Sequence, residues 1–216
     1  MNRSRPSDVL VVFRSRIGWM ALVGSGPALK VLTFGHPSAK KAAAEMARRF
    51  GGDVHRGDWN RRLVQRLQAY ASGARDDFLD VKVDFGPQTP FQRRVLQRCR
   101  HVPYGVTVTY GQLAEQAGFP GAARAVGRCM AANPIPLVIP CHRVIGADKG
   151  LCGYSGSGGI TMKRRLLMLE GPVQTGSFSL DPKTFVSLAL PVVRRARLRL
   201  AAKRGRPHPR RAENKE

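Results

Sequence analysis

Acidic residues are scarce in this chain of 216 residues, which has 14 Asp and Glu against 37 Lys and Arg. A formal net charge of +23 is costly in self-repulsion unless a polyanion shares it, and nucleic acid is the usual one. A membrane surface is the alternative partner. However, no apolar run is long enough to span a bilayer, and residues 1–8 lack the apolar core of a secretory signal. We therefore expect a soluble intracellular protein with no membrane partner, in the cytoplasm or nucleoid, or in the nucleus of a eukaryote.

Cysteine is absent from the first 98 residues of the chain, and the four cysteines that follow form no C-x-x-C pair. This spacing gives no zinc-site signature, and a reducing compartment would keep all four cysteines as thiols. We expect neither a structural metal nor a cofactor. The four cysteines are Cys99, Cys129, Cys141 and Cys152.

Short apolar runs and two amphipathic segments organise the first part of the chain. They predict strands at residues 9–13, 18–23, 29–34 and 78–85, and helices at residues 39–50 and 60–71. The glycine and proline that begin at Gly86 mark a boundary. Residues 1–86 are therefore predicted to form a small N-terminal α/β unit, in which no residue indicates chemistry.

Residues 87–172 are predicted to form a second, mainly helical domain. Helices are expected at residues 90–100, 110–117, 122–132 and 161–169, the first two capped by Thr89 and Thr109. Two short helices around a glycine-containing turn are typical of a helix-turn-helix, and Arg124 and Arg128 on the second helix favour contact with nucleic acid. The glycine-rich stretch at residues 150–159 is either a loop that lets backbone approach a ligand or a flexible surface turn.

Residues 173–216 differ in composition and are predicted to be a basic, disordered tail. Within it, Arg204, Gly205, Arg206 and Pro207 resemble the core of an AT-hook, which lays arginines along a narrow minor groove. A nonspecific polyphosphate tether and a localisation signal are the alternatives.

Cys141 and His142 stand side by side in the segment Ile-Pro-Cys-His-Arg-Val at residues 139–144. A nucleophilic cysteine needs a base or a positive field, because an unperturbed thiol is mostly protonated at neutral pH. His142, Arg143 and the basic surroundings could supply both. The competing interpretation is a buried cysteine followed by a surface histidine.

Several motifs occur in one order: Thr109-Tyr110, Ala-Arg-Ala-Val-Gly at 123–127, Asn-Pro-Ile-Pro at 133–136, the Cys141 segment and the Gly-Tyr-Ser loop at 153–155. Together they resemble the O6-alkylguanine-DNA alkyltransferases over residues 89–171. The resemblance implies an α+β fold, with an N-terminal ribonuclease-H-like α/β unit followed by a mainly helical, winged helix-turn-helix-like domain that carries the active-site cysteine. It also implies a monomer that acts on double-stranded DNA containing O6-alkylguanine.

The resemblance also implies roles for individual residues. Cys141 would accept the alkyl group in a single irreversible transfer, His142 would act as a base through a water, and Glu170 would orient His142. Asn133 would brace the site, Tyr110 would donate a hydrogen bond to guanine, and Arg124 would fill the space left by the flipped nucleotide. The remaining expected substrate or DNA contacts are Ala123, Gly127, Arg128, Val144, Tyr154, Ser155 and Lys163.

Two features depart from the family pattern. The spacing from Tyr154 to Lys163 is two residues longer than in relatives, which lengthens the loop at residues 155–159, and Leu96 stands where tryptophan is common. Two other functions stay open at this point: a damage-binding alkyltransferase-like protein, which lacks the nucleophile, and a thiol hydrolase that uses Cys141 and His142.

We predict that removing residues 191–216 makes DNA binding less dependent on salt, because each neutralised phosphate releases counterions. Titrations of one duplex at several salt concentrations measure the slope for the full chain and the truncated chain. An unchanged slope would show that the tail makes no phosphate contacts.

Overall fold

The computed structural model describes residues 7–51 and 53–171. Strands are β1 (Val9–Ser15), β2 (Gly18–Ser25), β3 (Ala28–His36), β4 (His55–Arg56), β5 (Val108–Thr109) and β6 (Val144–Ile145). Helices are α1 (Ala39–Phe50), α2 (Arg61–Tyr70), α3 (Pro90–Arg100), α4 (Tyr110–Gln116), α5 (Ala123–Ala131) and α6 (Gly159–Leu169), with a 3-10 helix at Cys141–Arg143. The fold is thus a mixture of sheet and helices. The predicted tail at 173–216, with its AT-hook-like core at 204–207, lies outside the described residues.

A four-stranded sheet forms the first part of the fold, in the order β3-β2-β1-β4. The first three strands are antiparallel neighbours, and β4 runs parallel to β1. Successive side chains of β2 point to opposite faces. Ala21 and Val23 pack against Met46 of α1, whereas Met20 and Leu22 enter the larger core on the other face. The three strands and the helix predicted for residues 9–50 are confirmed.

Helix α2 brings a tyrosine into the centre of the molecule. Asn60 begins the helix by accepting a hydrogen bond from the Leu63 backbone N–H at 3.1 Å. Leu63, Leu67 and Tyr70 recur at helical spacing and are buried, as the sequence pattern predicts. Tyr70 is the last residue of α2, so its side chain points into the larger core from the end of the helix.

The strand predicted at residues 78–85 is wrong. Asp76 accepts a hydrogen bond from the Phe78 backbone N–H at 2.9 Å, and Phe78 adopts a positive φ of 52°. Arg66 holds the carboxylates of Asp76 and Asp80 on either side of this turn. Aspartate side chains compete with a sheet for backbone N–H groups. The alternation of apolar and polar residues was therefore not sufficient to predict a strand here. Only an isolated bridge remains, between Val83 and β3.

Capping residues define the helices of the second part. Thr89 and Gln92 form a reciprocal capping box at the start of α3, and Thr109 and Gln112 form another at the start of α4. Both caps were predicted from the sequence. A short turn then joins α4 to α5. Leu96, which replaces a common tryptophan, is fully buried on α3 and fills core space.

Two backbone pairings bring the ends of distant elements to the Cys141 segment. Strand β5 pairs in parallel with β6, which sets the start of α4 beside the residues that follow Cys141. On the other side, the Leu32 N–H of β3 donates to the Pro134 carbonyl at 2.9 Å. The two predicted domains share one hydrophobic core across these contacts. The boundary at residue 86 stays a prediction.

Cys141 begins a single turn of 3-10 helix that ends at Arg143. Consecutive side chains of a 3-10 helix are separated by about a third of a turn, so Cys141 and His142 point apart. Helix α6 begins at Gly159, two residues before its predicted start, and carries Glu170 at its C-terminal cap. Among the described residues, no helix is long and apolar enough to cross a membrane.

We predict that Gly24→Ala lowers the free energy of unfolding by about 1–3 kcal/mol, because packing around this position leaves no room for a methyl group. A Cβ at Gly24 would lie 2.2 Å from the Trp59 ring, whose indole N–H donates to the Gly26 carbonyl at 2.9 Å. Chemical denaturation measures the change. Gly153→Ala is the control, since a Cβ there meets nothing within 4 Å. Equal stability of both variants would contradict this packing.

Candidate active site

Asn133 organises the loop that leads to Cys141. Its side-chain amide donates to the Ile139 carbonyl at 2.8 Å, and its side-chain oxygen accepts from the Ile135 N–H at 3.0 Å. The Ile139 N–H also donates to the Ile135 carbonyl at 2.9 Å. Asn133 is only 3% exposed, so these bonds form away from competing water. Asn133 therefore lies where a residue that braces the cysteine is expected.

The Cys141 thiol is buried, with 6% of the residue exposed. Burial raises the pKa of the Cys141 thiol, while the Asn133 amide, the charge of Lys163 and the Tyr154 hydroxyl act in the opposite direction. The net shift is upward, so the free protein holds Cys141 as a thiol at neutral pH. Nucleophilic attack by this sulfur consequently requires a base.

Lys163 is enclosed beside Cys141 and does not lie on an exposed DNA-facing surface. Its ammonium donates to the carbonyls of Val144 and Leu151, both at 2.6 Å, and lies 5.8 Å from the centre of the Tyr110 ring. Burial lowers the pKa of Lys163, and the nearby thiols Cys141 and Cys152 act to raise it. This location favours an action of Lys163 on the thiolate of Cys141 over contact with a DNA phosphate.

His142 and Glu170 form a buried pair behind the cysteine. The His142 Nε2 lies 2.8 Å from Glu170 Oε1, and the His142 side chain is completely buried. Because the carboxylate can only accept, Nε2 carries the proton in this pair. Nδ1 is buried and has no hydrogen-bond partner among the described residues. In neutral His142 this nitrogen therefore keeps a free lone pair.

Arg143 balances the charge of Glu170. Its guanidinium donates to both carboxylate oxygens at 2.8–3.2 Å, and its Nη1 donates to the Val102 carbonyl at 2.6 Å. Burial alone would raise the pKa of Glu170, but hydrogen bonds and charges of His142 and Arg143 hold it well below its usual range. Glu170 thus remains ionised at every physiological pH.

Burial lowers the pKa of His142, although the bond to Glu170 opposes this shift. Arg143 and Lys163 also disfavour the protonated imidazole. His142 is therefore neutral at neutral pH and able to accept a proton at Nδ1.

A cavity of about 580 Å³ opens between the Cys141 segment and the α4–α5 pair. Tyr110 and Gly127 line it close together, since a Cβ at Gly127 would lie 3.9 Å from the Tyr110 ring. Arg124 is exposed at the edge of this cavity, and Arg128 is exposed one turn further along α5. The other residues that line this cavity are Thr109, Gly111, Ala123, Met130, Ala131, Cys141, Ala147, Cys152, Gly153, Tyr154 and Ser155.

The lengthened loop at residues 155–159 is attached to the sheet. Ser157 Oγ donates to the Gly35 carbonyl at 3.0 Å, next to a second cavity of about 300 Å³ that also reaches Cys141. Tyr154 and Ser155 separate the two cavities, because both residues line each of them. The Tyr154 hydroxyl is buried and close enough to the Cys141 thiol to lower its pKa. The predicted contact residues of this loop thus lie beside the thiol.

Sequence reasoning missed two residues of the site and one residue that packs beside it. Tyr70 comes from the part of the chain where no chemistry was expected, and its hydroxyl donates to Glu170. The sequence suggests Arg143 only as a source of positive field. It indicates no role for Tyr104, which packs against the Arg143 guanidinium. One signal was available: a tyrosine on a buried helix face requires a partner for its hydroxyl.

Within residues 7–51 and 53–171, no group of three or more His, Cys, Asp or Glu side chains is arranged to hold a metal ion.

Comparison with known proteins gives consistent results. The family model described as "6-O-methylguanine DNA methyltransferase, DNA binding domain" matches residues 90–172. A methylated-DNA–protein-cysteine methyltransferase from Mycolicibacterium paratuberculosis is 40% identical over 72% of this chain and 88% of the relative. One from Methanosarcina acetivorans is 38% identical over 74% of this chain and 96% of the relative.

A solved structure is also similar. The crystal structure of Mycobacterium tuberculosis OGT in complex with DNA superimposes with a TM-score of 0.62 at 40% sequence identity, covering 75% of this chain and 92% of that one. The similarity to these proteins extends over most of their length. The chain therefore belongs to the methylated-DNA–protein-cysteine methyltransferase family.

Proposed function

We propose that this protein repairs DNA by transferring the alkyl group of O6-alkylguanine to Cys141, in one irreversible step per molecule. The observation that carries this proposal is the position of Cys141 in the wall of a cavity, with a neutral, buried His142 behind it. A volume of about 580 Å³ is within the range of cavities that hold small ligands, and a purine falls in that class.

The reaction begins with removal of the thiol proton. His142 accepts this proton at Nδ1 through a bridging water, and the imidazolium that forms is stabilised by Glu170. The sulfur of Cys141 then attacks the saturated carbon on O6, so that a carbon–sulfur bond forms as the carbon–oxygen bond breaks. The bonding electrons pass to the guanine ring, which takes up a proton as His142 releases the one it accepted from the thiol, so that no net proton is gained or lost. The thioether does not hydrolyse, which is why the protein acts once.

Tyr110 assists departure of the guanine. Burial, followed by the proximity of Cys152 and Cys141, raises the pKa of Tyr110 to about 12. The phenol therefore remains protonated and can donate a hydrogen bond to the base as negative charge develops. Ser155 of the loop donates towards O6 by its backbone, and the carbonyls of Cys141 and Val144 accept from the exocyclic amine. Lys163 stabilises the thiolate.

Binding of double-stranded DNA uses the second helix of the α4–α5 pair. Arg124 occupies the space from which the nucleotide has rotated, and Arg128 contacts a phosphate. Ala123 and Gly127 are small, which allows α5 to approach the sugar–phosphate walls closely. The pairing of β5 with β6 beside these helices supports a winged helix-turn-helix arrangement for residues 87–172. The order of strands and helices supports a ribonuclease-H-like arrangement for residues 1–86, in a protein that acts as a monomer.

The other two functions fit the site less well. An alkyltransferase-like damage binder has no use for a thiol at this position, yet Cys141 is present with its base. A thiol hydrolase regenerates its nucleophile and turns over many substrates, whereas the proposed transfer leaves Cys141 permanently alkylated.

We predict that Cys141→Ala abolishes transfer while binding to DNA changes by less than about twofold, because a buried side chain adds no phosphate contact. Incubation with a duplex containing O6-methylguanine, followed by intact-mass analysis, measures the transfer. Peptide mapping distinguishes Cys141 from Cys152, the exposed thiol on the same cavity. A methyl group on Cys152, or a wild-type protein that binds the duplex unmodified, would refute the proposed chemistry.

We predict that Arg124→Ala slows repair of duplex DNA by about 10- to 100-fold, since an unfilled gap leaves a few kcal/mol of unstacking energy uncompensated. Reaction with free O6-methylguanine base should change little, because no duplex has to open. Arg128→Ala is the matched control: it removes an equal charge from the same helix and should weaken binding more than it slows transfer from bound DNA. Equal losses on duplex and free base would contradict the flipping role of Arg124.

A further inference from the structure

Tyr70 is the one tyrosine of the first part of the chain, and it is completely buried at the end of α2. Its ring packs 5.6 Å from the ring of Phe78 and edge-on to that of Tyr104 at 6.1 Å. Apolar packing of this kind would be served equally well by phenylalanine. The hydroxyl therefore needs a separate explanation.

That hydroxyl enters the charged cluster at the bottom of the active site. It donates to Oε1 of Glu170 and lies 3.3 Å from Nε2 of His142. Burial, reinforced by the negative charge of Glu170, raises the pKa of Tyr70 well above its usual value. Tyr70 consequently remains a hydrogen-bond donor across the whole physiological pH range.

One carboxylate oxygen thus receives hydrogen bonds from three residues. Oε1 of Glu170 accepts from Tyr70, from His142 Nε2 at 2.8 Å, and from Arg143 Nη2 at 2.8 Å and Nε at 3.2 Å. Each donor draws negative charge from the oxygen and so reduces its attraction for a proton on the imidazole. The Tyr70 hydroxyl and the His142 ring compete for the same oxygen.

We propose that Tyr70 is a positioning residue that reaches across from α2, fixes the Glu170 carboxylate against His142 and sets how readily His142 accepts the Cys141 proton. Without the phenol, Glu170 would hold the imidazolium more strongly, and more of His142 would be protonated and unable to act as a base. The role in transfer rests on the proposed function. The contact with His142 and Glu170 does not.

The titratable and charged groups around this cluster come from several elements. They are Tyr70 from α2, Cys99 from α3, Tyr104 from the segment before β5, Cys141 and Arg143 from the 3-10 helix, and Lys163 and Glu170 from α6 and its cap. Tyr104 is the informative comparison. Its hydroxyl donates to the Leu169 backbone carbonyl at 3.1 Å and has no hydrogen bond to His142 or Glu170 among the contacts described.

We therefore predict that Tyr70→Phe moves the rising limb of the pH–rate profile for methyl transfer to higher pH. His142 must be neutral to act, and loss of the donor to Glu170 raises its pKa. An upward shift of roughly half to one pH unit slows transfer about three- to tenfold below the limb, whereas the rate at high pH returns towards the wild-type plateau. Tyr104→Phe makes the same chemical change in the same aromatic cluster and should leave the limb in place. Single-turnover kinetics on one methylated duplex measure both variants.

A second pair of measurements separates this role from simple packing. Site-specific 3-fluorotyrosine at position 70 keeps the ring and strengthens the donor, so the limb should move to lower pH. Titration of isotopically labelled His142 by NMR, in protein without DNA, should show the pKa of His142 raised in Tyr70→Phe and lowered in the fluorinated protein, in line with the kinetic shifts.

Three results would overturn the proposal: a loss at Tyr70→Phe that is equal at every pH, the same profile for Tyr70→Phe and Tyr104→Phe, or an unmoved His142 titration. If Tyr70→Phe does not fold, the fluorinated protein decides the question alone. Failure of the proposed function is a different outcome, because the wild-type protein would then transfer no methyl group while the NMR shifts remained.

Discussion

The buried carboxylate of Glu170 is the constraint on which the site depends. An isolated charge in a protein interior costs several kcal/mol, and only charged or hydrogen-bonded partners compensate for that cost. Here the partners come from separate parts of the chain: Tyr70 from α2, Gly105 by its backbone N–H at 3.1 Å, and His142 and Arg143 from the 3-10 helix. Because every partner must be in place, the charge fixes the relative positions of these elements.

Two consequences follow from this arrangement. One is that the N-terminal part of the chain is joined to the cysteine-bearing part by a polar contact as well as by the shared core, so helix α2 contributes a hydrogen-bond donor to the site. The other is that His142 is held neutral in spite of its carboxylate neighbour, because burial disfavours the imidazolium and Arg143 neutralises much of the charge on Glu170. A histidine with an unshared carboxylate would be protonated more readily and would be a poorer acceptor for the Cys141 proton.

The parts of the fold that local sequence rules govern could be predicted. The caps at Thr89 and Thr109 and the apolar spacing of α2 depend on residues close in sequence, and these predictions are confirmed. The turn that replaces the strand at residues 78–85 could not be predicted, because it depends on Arg66 of α2, which binds Asp76 and Asp80. The site shows the same division. Cys141 and His142 are neighbours in sequence, whereas Tyr70 lies 72 residues before His142 and meets it only in the folded chain. No local pattern encodes that distance.

The complete burial of His142 has a kinetic meaning. Enzymes that turn over must open between cycles, and lid opening or product release often limits their rate. A protein that keeps its alkyl group on Cys141 has no such cycle, and its base can be sealed permanently behind the nucleophile. Preformed bonds such as that between Ser157 and Gly35 then hold the site rigid from the start. The main motion in the proposed reaction is then rotation of the nucleotide out of the duplex.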